Sequence, residues 1–391
     1  MRPGCVSVAA GTALLLSGVV LAADVTVNIT VSNPTSDDWA EVPVIVKWTD
    51  DMTQVWGAGC HRLGDPDPVA FQRDDLDGDG KIDELVFLVA LKAGEARQYQ
   101  FTSEGPDVKT QPRAAARMSL KGFDGPAWES DVVAYRIYWN ADNAMDIFGK
   151  TRAILSLDHW AKPGVPHNIE DEHGLDVLKV GRALGIGGFG AWIDGRIQKV
   201  SNVMKTCHIR ANGPLRAVVD LEYVYWQPGP FPDLSRQAIT SNKAAHYDLW
   251  VRMSICAGQK WSEADIRVRP YPGSPMPEIV TGLPKHEDTA LIQDKAAGIL
   301  GRWGLQALGD RDALKAGNLG LGVVADPRQI VAFGEDDSNT YVRLRPDGGR
   351  VRYRYHGSWF KEPGAAKSAK EYEEMLRAVA RLRPEVKVEP R

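Results

Sequence analysis

Apolar and polar residues alternate with a period of two along most of this chain, and strand after strand follows from that pattern. Val25 to Val31 alternates, Val44 to Trp48 is rich in β-branched residues behind Pro43, and Leu85 to Leu91 reads as a buried strand. Val132 to Trp139 puts Val133, Tyr135, Ile137 and Trp139 on one face and Arg136 and Tyr138 on the other. Leu215 to Trp226, Tyr247 to Ile255, Ala264 to Val268, Tyr341 to Arg345 and Val351 to Tyr355 continue the theme. Several of these runs are long, which suits large facing sheets better than a small barrel. The period changes only near the end. There Tyr372, Met375, Leu376, Val379 and Leu382 form one stripe at helical spacing, with Ser368 and Glu371 as a capping box and Pro384 as the stop. The expectation is an all-β protein, a large antiparallel β-sandwich with a C-terminal helix.

The extreme N-terminus is different. Arg2 precedes an almost unbroken apolar run from Val6 to Leu21, and Val20-Leu21-Ala22 offers a small-residue cleavage pattern. Residues 1–22 are therefore expected to be a cleaved signal peptide, and the protein to be periplasmic or extracellular. No later stretch is long and apolar enough for a membrane span. The body from 23 to 391 has no repeat and no clear linker, and is expected to be one sandwich domain. Residues 23–103 are a possible sub-module within it. The Pro/Gly-rich stretches Gln227 to Pro232 and Pro270 to Pro277 read as long loops.

With 47 basic and 51 acidic residues, the net charge of −4 leaves no basic patch for nucleic acid and no polybasic membrane stripe. Cys60, Cys207 and Cys256 remain after processing, which permits one disulfide or three free thiols. Twelve tryptophans serve either a core or flat faces against sugar rings.

The most distinctive local motif is Asp75-Leu-Asp77-Gly-Asp79-Gly80-Lys81-Ile-Asp83. Alternate positions of a tight loop can point oxygens at a hard cation: Asp75, Asp77, Asp79, the carbonyl of Lys81 and Asp83. Val86 stands where an EF-hand has its last ligand, and a strand follows rather than a helix. The expectation is a short structural calcium loop.

Three of the eight histidines, His159, His167 and His173, fall in one Pro-broken stretch with Glu170, Asp171 and Glu172. Imidazoles on a polar loop suit proton transfer near neutral pH, with metal ligation the competing use. Arg136, Tyr138, Trp139, Arg210, Arg216, His246 and Tyr247 lie on or near strands of the same body. An arginine fork is the natural partner of a sugar carboxylate. Gly185-Ile-Gly187-Gly-Phe-Gly190 matches a dinucleotide fingerprint by letters only, because the strand–turn–helix order it needs is missing. There is no GxSxG elbow, P-loop or CxxC pair.

The chain resembles a family of secreted bacterial proteins known only as a domain of unknown function. The resemblance rests on Val27 to Pro34, Asp75 to Phe87, Trp128 to Trp139, Phe148 to Lys150, Gly174 to Gly190, Asn212 to Arg216 and Tyr355 to Lys361. It implies a galactose-mutarotase-like β-supersandwich and a place in polysaccharide degradation, often of pectin or other uronate-rich glycans. Fold alone does not set the reaction. Three readings stand at this point. The first is a lyase or related enzyme on uronate-containing oligosaccharides, with His159, His167 or His173 as base, Tyr138 or Tyr247 as acid and Arg136 or Arg210 neutralising the carboxylate. Arg210, His246, Tyr247, Trp139 and Glu170 are the candidate substrate contacts. The second is a glycoside hydrolase using paired carboxylates among Glu170, Asp171 and Glu172. The third is a non-catalytic carbohydrate-binding protein.

Overall fold

The computed structural model describes residues 26–49, 59–65, 67–102, 108–201, 203–229, 245–305 and 317–390. The expected signal peptide, and residues 230–232 of the Gln227 to Pro232 loop, lie outside them.

The first strands are β1 (Thr26–Ser32), β2 (Trp39–Lys47), β3 (Cys60–Arg62), β4 (Phe71–Asp74), β5 (Glu84–Leu91) and β6 (Ala96–Thr102). Next come β7 (Ala114–Ser119), β8 (Gly125–Ser130), β9 (Val133–Ile137), β10 (Met145–Gly149), the single-turn α1 (Leu157–Trp160) and β11 (Leu175–Asp176). They are followed by β12 (Gly188–Ile193), β13 (Arg196–Lys199), β14 (Met204–Asn212), β15 (Arg216–Trp226), β16 (Tyr247–Cys256), β17 (Trp261–Pro270) and β18 (Glu278–Pro284). The chain ends with β19 (Thr289–Asp294), β20 (Ile299–Leu305), β21 (Asn318–Ala325), β22 (Ile330–Glu335), β23 (Asn339–Leu344), β24 (Arg350–Trp359), α2 (Ala369–Arg381) and β25 (Glu385–Pro390).

Among the described residues these strands form five antiparallel sheets. The largest runs β14-β15-β16-β17-β24-β21-β20-β19, and two five-stranded sheets run β11-β10-β9-β8-β7 and β13-β12-β18-β23-β22. All three contribute to one apolar core, which holds Trp128, Tyr135 and Ile147 from one small sheet, Phe189, Ile279 and Val342 from the other, and Val219, Val251 and Tyr353 from the large one. Alternation decides the faces: on β24, Val351, Tyr353 and Tyr355 point inward while Arg350, Arg352 and Arg354 point outward. Buried phenols pin the layers together. Trp128 Nε1 donates to Tyr355 Oη at 3.0 Å, Tyr355 donates to Ser262 Oγ at 2.8 Å, and Tyr353 donates to the Gly187 carbonyl at 2.7 Å.

The N-terminal strands enclose a core of their own. Sheets β25-β1-β6-β3 and β2-β5-β4 pack Val27, Ile29, Val31, Val44, Phe87 and Phe101 between them. β25 closes this unit by pairing with β1 after the chain has traversed the whole large body. Arg216 ties the two bodies together: buried on β15, it donates to Asp74 at 3.2 Å and Glu84 at 2.5 Å, while Gln72 accepts from the Arg216 backbone at 2.9 Å.

α2 begins where Ser368 Oγ accepts from Glu371 N at 3.2 Å, and Glu371 reaches back to Lys367 N at 2.9 Å, one residue beyond the expected box. It buries Tyr372, Leu376 and Val379 against the large sheet. The glycine triplet does not cradle a nucleotide. Gly185 and Gly187 take φ of +85° and +65°, and an added Cβ would strike the Met145 carbonyl at 1.7 Å and the Tyr355 ring at 2.5 Å. The segment leads into β12, a strand. Cys60, Cys207 and Cys256 are all free thiols. Among the described residues no helix is long and apolar enough to cross a membrane.

Candidate active site

β9 sends Tyr135 into the main core and turns Arg136 to the opposite face of its sheet, where residues 150–174 lie over it as a cap before the chain rejoins the sheet as β11. The base of the cap is a buried ion pair. Lys150 Nζ contacts Glu129 Oε2 and donates to the Ser130 and Ile154 carbonyls at 2.7 and 2.8 Å. The same glutamate accepts from Ser156 N and Leu157 N at 2.8 and 2.9 Å, which anchors the start of α1. Burial pulls the Lys150 pKa down, with Glu129 opposing. Trp160 then stacks on Phe148 of β10 at 4.7 Å.

Under this cap Arg136 is almost wholly buried, and its side chain is 2% exposed. Its Nη2 donates to Asp146 at 2.7 Å, Asp176 at 2.8 Å and Tyr138 at 2.6 Å. Nε reaches Asp146 at 3.2 Å, and Nη1 reaches the Phe123 carbonyl and His167 Nε2, both at 3.2 Å. Tyr138 in turn donates to Asp146 at 3.0 Å. The fork is thus fully engaged by the protein itself, so Arg136 acts here as a positioning residue. Burial opposes its charge, and Asp146 and Asp176 more than offset that, leaving its pKa raised.

Three groups of this cluster are partly exposed, Tyr138 among them. Asp176 on β11 is 13% exposed and His167 is 23% exposed, with 3.8 Å between them, whereas Asp146 is completely enclosed. Burial, reinforced by Asp146 and opposed by Arg136, holds the Asp176 carboxyl well above the usual carboxylate range. Burial and the Arg136 charge lower the His167 pKa, which favours neutral imidazole. Burial, then Asp146, pushes the Tyr138 phenol up. A carboxyl whose burial favours its protonated form thus stands beside an imidazole whose burial favours its neutral form, a pairing suited to acid–base chemistry.

The other sequence-selected residues lie elsewhere. His159 and His173 stack on each other at 3.7 Å, and Asp171 sits 2.9 Å from His159 Nε2. Glu170 pairs with Lys361 at 2.5 Å, and Glu172 pairs with Arg152. Arg210 shares Asp220 with Arg252 on the outer face of the large sheet. His246 stacks on Tyr225 at 4.1 Å, Tyr247 is buried in the main core, and Trp139 lies under Lys205. Asp146, Asp176, Lys150 and Glu129 escaped selection, although an aspartate inside the apolar run Met-Asp-Ile-Phe was a signal of a buried charge.

In the Asp75–Asp83 loop, which joins β4 to β5, Asp75, Asp77 and Asp83 bring carboxylate oxygens within 4.8 Å of one another. Asp79 falls outside this group and lies 3.8 Å from Lys81 Nζ. Leu76 packs on Ala211 and Val218, docking the loop on the large sheet.

Fold and cluster together define an all-β sandwich protein with a capped, largely buried polar cluster on the back of one small sheet. The chain belongs to the family described as domain of unknown function DUF4861, whose match runs over residues 31–388. No curated protein is similar to it in sequence. Among solved structures, an α-mannosidase from Enterococcus faecalis V583 superposes with a TM-score of 0.52 at 8% identity, covering 93% of this chain and 46% of that one. A glycosyl hydrolase family 38 protein from Enterococcus faecalis gives 0.50 at 8% identity, covering 93% and 47%. At such identity the likeness is one of fold, and this chain spans less than half of either neighbour.

Proposed function

We propose that this protein is an exported carbohydrate-active enzyme that eliminates across a glycosidic bond of a uronate-containing oligosaccharide. The observation that carries the reading is the pair His167 and Asp176, both reaching the surface and both held by Arg136. His167 takes the proton beside the sugar carboxylate. The electron pair left behind forms the ring double bond as the bond to the leaving oxygen breaks, and Asp176 protonates that oxygen. Two-carboxylate hydrolysis is less well served. Asp146 is sealed from any substrate, and Glu170, Asp171 and Glu172 each face their own basic partner. The carbohydrate names of the two fold neighbours and the family resemblance support a sugar substrate, and the apolar run behind Arg2 supports export.

Purified mature protein incubated with polygalacturonate, rhamnogalacturonan, alginate and ulvan is expected to release an unsaturated uronate from at least one, seen as rising ultraviolet absorbance. New reducing ends without absorbance would replace elimination by hydrolysis, and no product from any of the four would remove the enzyme reading.

The same proposal includes a structural calcium ion held by Asp75, Asp77 and Asp83, whose clustered oxygens suit a hard cation. Binding there clamps Leu76 and the β4–β5 hairpin to the large body. Calcium at 100 times its Kd is expected to add about 2.7 kcal/mol of stability, read as a higher melting temperature that chelator reverses. An unchanged melting curve in both conditions would remove the ion.

A further inference from the structure

We propose that His159, Asp171 and His173 form a second, separate site, one that binds a single divalent transition metal of the zinc type. His159 is carried by α1, while Asp171 and His173 sit two residues apart in a tight turn. That turn is closed by Asp171 N to the Gly174 carbonyl at 3.3 Å and Gly174 N to the Asp171 carbonyl at 3.2 Å. Asp171 Oδ1 also accepts from His173 N at 2.7 Å, and Ser156 Oγ donates to the His173 carbonyl at 3.0 Å, so the backbone on both sides is fixed. One ligand atom from each of the three side chains lies within 4.8 Å of the others. His159 Nε2 is 2.9 Å from Asp171 Oδ2, and His173 Nδ1 is 3.6 Å from Asp171 Oδ1.

Zinc bonds of about 2.0 Å in a tetrahedron set neighbouring ligands roughly 3.3 Å apart, close to these separations. The independent observation is His173 Nδ1. It is a buried nitrogen with no hydrogen-bond partner among the described residues. An imidazole nitrogen that faces a carboxylate oxygen at 3.6 Å without a hydrogen bond is a geometry that a cation held between the two would satisfy. The stacked rings, 4° from parallel, must fan apart for both lone pairs to meet one ion. Their partial exposure, 27% and 21%, leaves room for that rotation. Two imidazoles and one carboxylate select a transition metal over calcium, and three protein ligands leave a fourth position for water. The site shares no residue with the His167–Asp176 pair, so its failure leaves that pair untouched.

The test uses the mature chain, stripped with chelator and reloaded. Titration with Zn²⁺ is expected to give one bound equivalent and a raised melting temperature, and Co²⁺ to give visible absorption of four-coordinate intensity. His159→Ala and His173→Ala should each weaken Zn²⁺ binding by at least about 100-fold, since even outer partners of a metal site are worth 10–100-fold. Glu172→Gln, an exposed residue paired with Arg152, should bind as the parent does. Absence of both a zinc equivalent and a cobalt spectrum in the parent would overturn the site, as would full zinc binding by the double histidine variant.

Discussion

Arg136→Met is expected to destabilise the protein by about 3–5 kcal/mol, the cost of leaving buried charge without its partner. The guanidinium holds the Asp146 and Asp176 side chains at 2.7 and 2.8 Å through one nitrogen, and the nearer of them, Asp146, has no exposed surface through which water could replace it. Methionine fills much of the volume but offers no donor. The Phe123 carbonyl, the Tyr138 hydroxyl and both aspartates then lose a bond at once. The denaturant midpoint should fall with little change in slope, since the surface exposed on unfolding is nearly the same. Adding Asp146→Leu should recover part of the loss, because removing both members of a buried pair costs far less than removing one. A single variant that unfolds at the parental midpoint would show that the cluster is open to water and the site description wrong.

How much of this was legible beforehand depends on the range of the physics involved. Alternation within one strand is local, so the split of Tyr135 and Arg136 to opposite faces of β9 could be read directly, as could the helical stripe of α2 and the carboxylates of the Asp75–Asp83 loop. What a face meets is not local. Arg210 and Arg216 look alike in sequence, six residues apart around a turn. One shares Asp220 on an outer sheet face, and the other is buried against Asp74 and Glu84 of the N-terminal body. His159, His167 and His173 read as one loop, but the cap folds so that His167 meets Arg136 while the other two meet Asp171. The decisive partners Asp146 and Asp176 lie ten and forty residues from Arg136, on strands of five and two residues, too short for any periodicity to announce. Nor does a six-residue segment such as Glu385–Pro390 reveal that it completes the first sheet of the chain.

Asp176→Asn separates the two things that residue does. As the acid for the leaving oxygen, it is expected to contribute about 10²- to 10⁴-fold to turnover, and asparagine cannot supply that proton. As a buried group it is a burden near neutral pH. Its native pKa is raised above the unfolded value, so its stabilising contribution is present below the ordinary carboxylate range and is lost as pH rises through the native pKa. Asparagine keeps the shape without this penalty. The variant should therefore be at least as stable as the parent at neutral and alkaline pH, while losing nearly all activity on a uronate substrate. His167→Gln should lose activity to a similar degree. In the parent, the rate should rise with pH through the His167 pKa, which burial and Arg136 place below the ordinary imidazole value, and fall again as Asp176 gives up its proton. The two limbs belong to different residues, so the alkaline limb should vanish from the residual activity of Asp176→Asn while the acid limb persists. Activity and stability falling together in that variant would assign Asp176 to the architecture alone. Full activity with the bell intact would place the proton transfers elsewhere on the molecule.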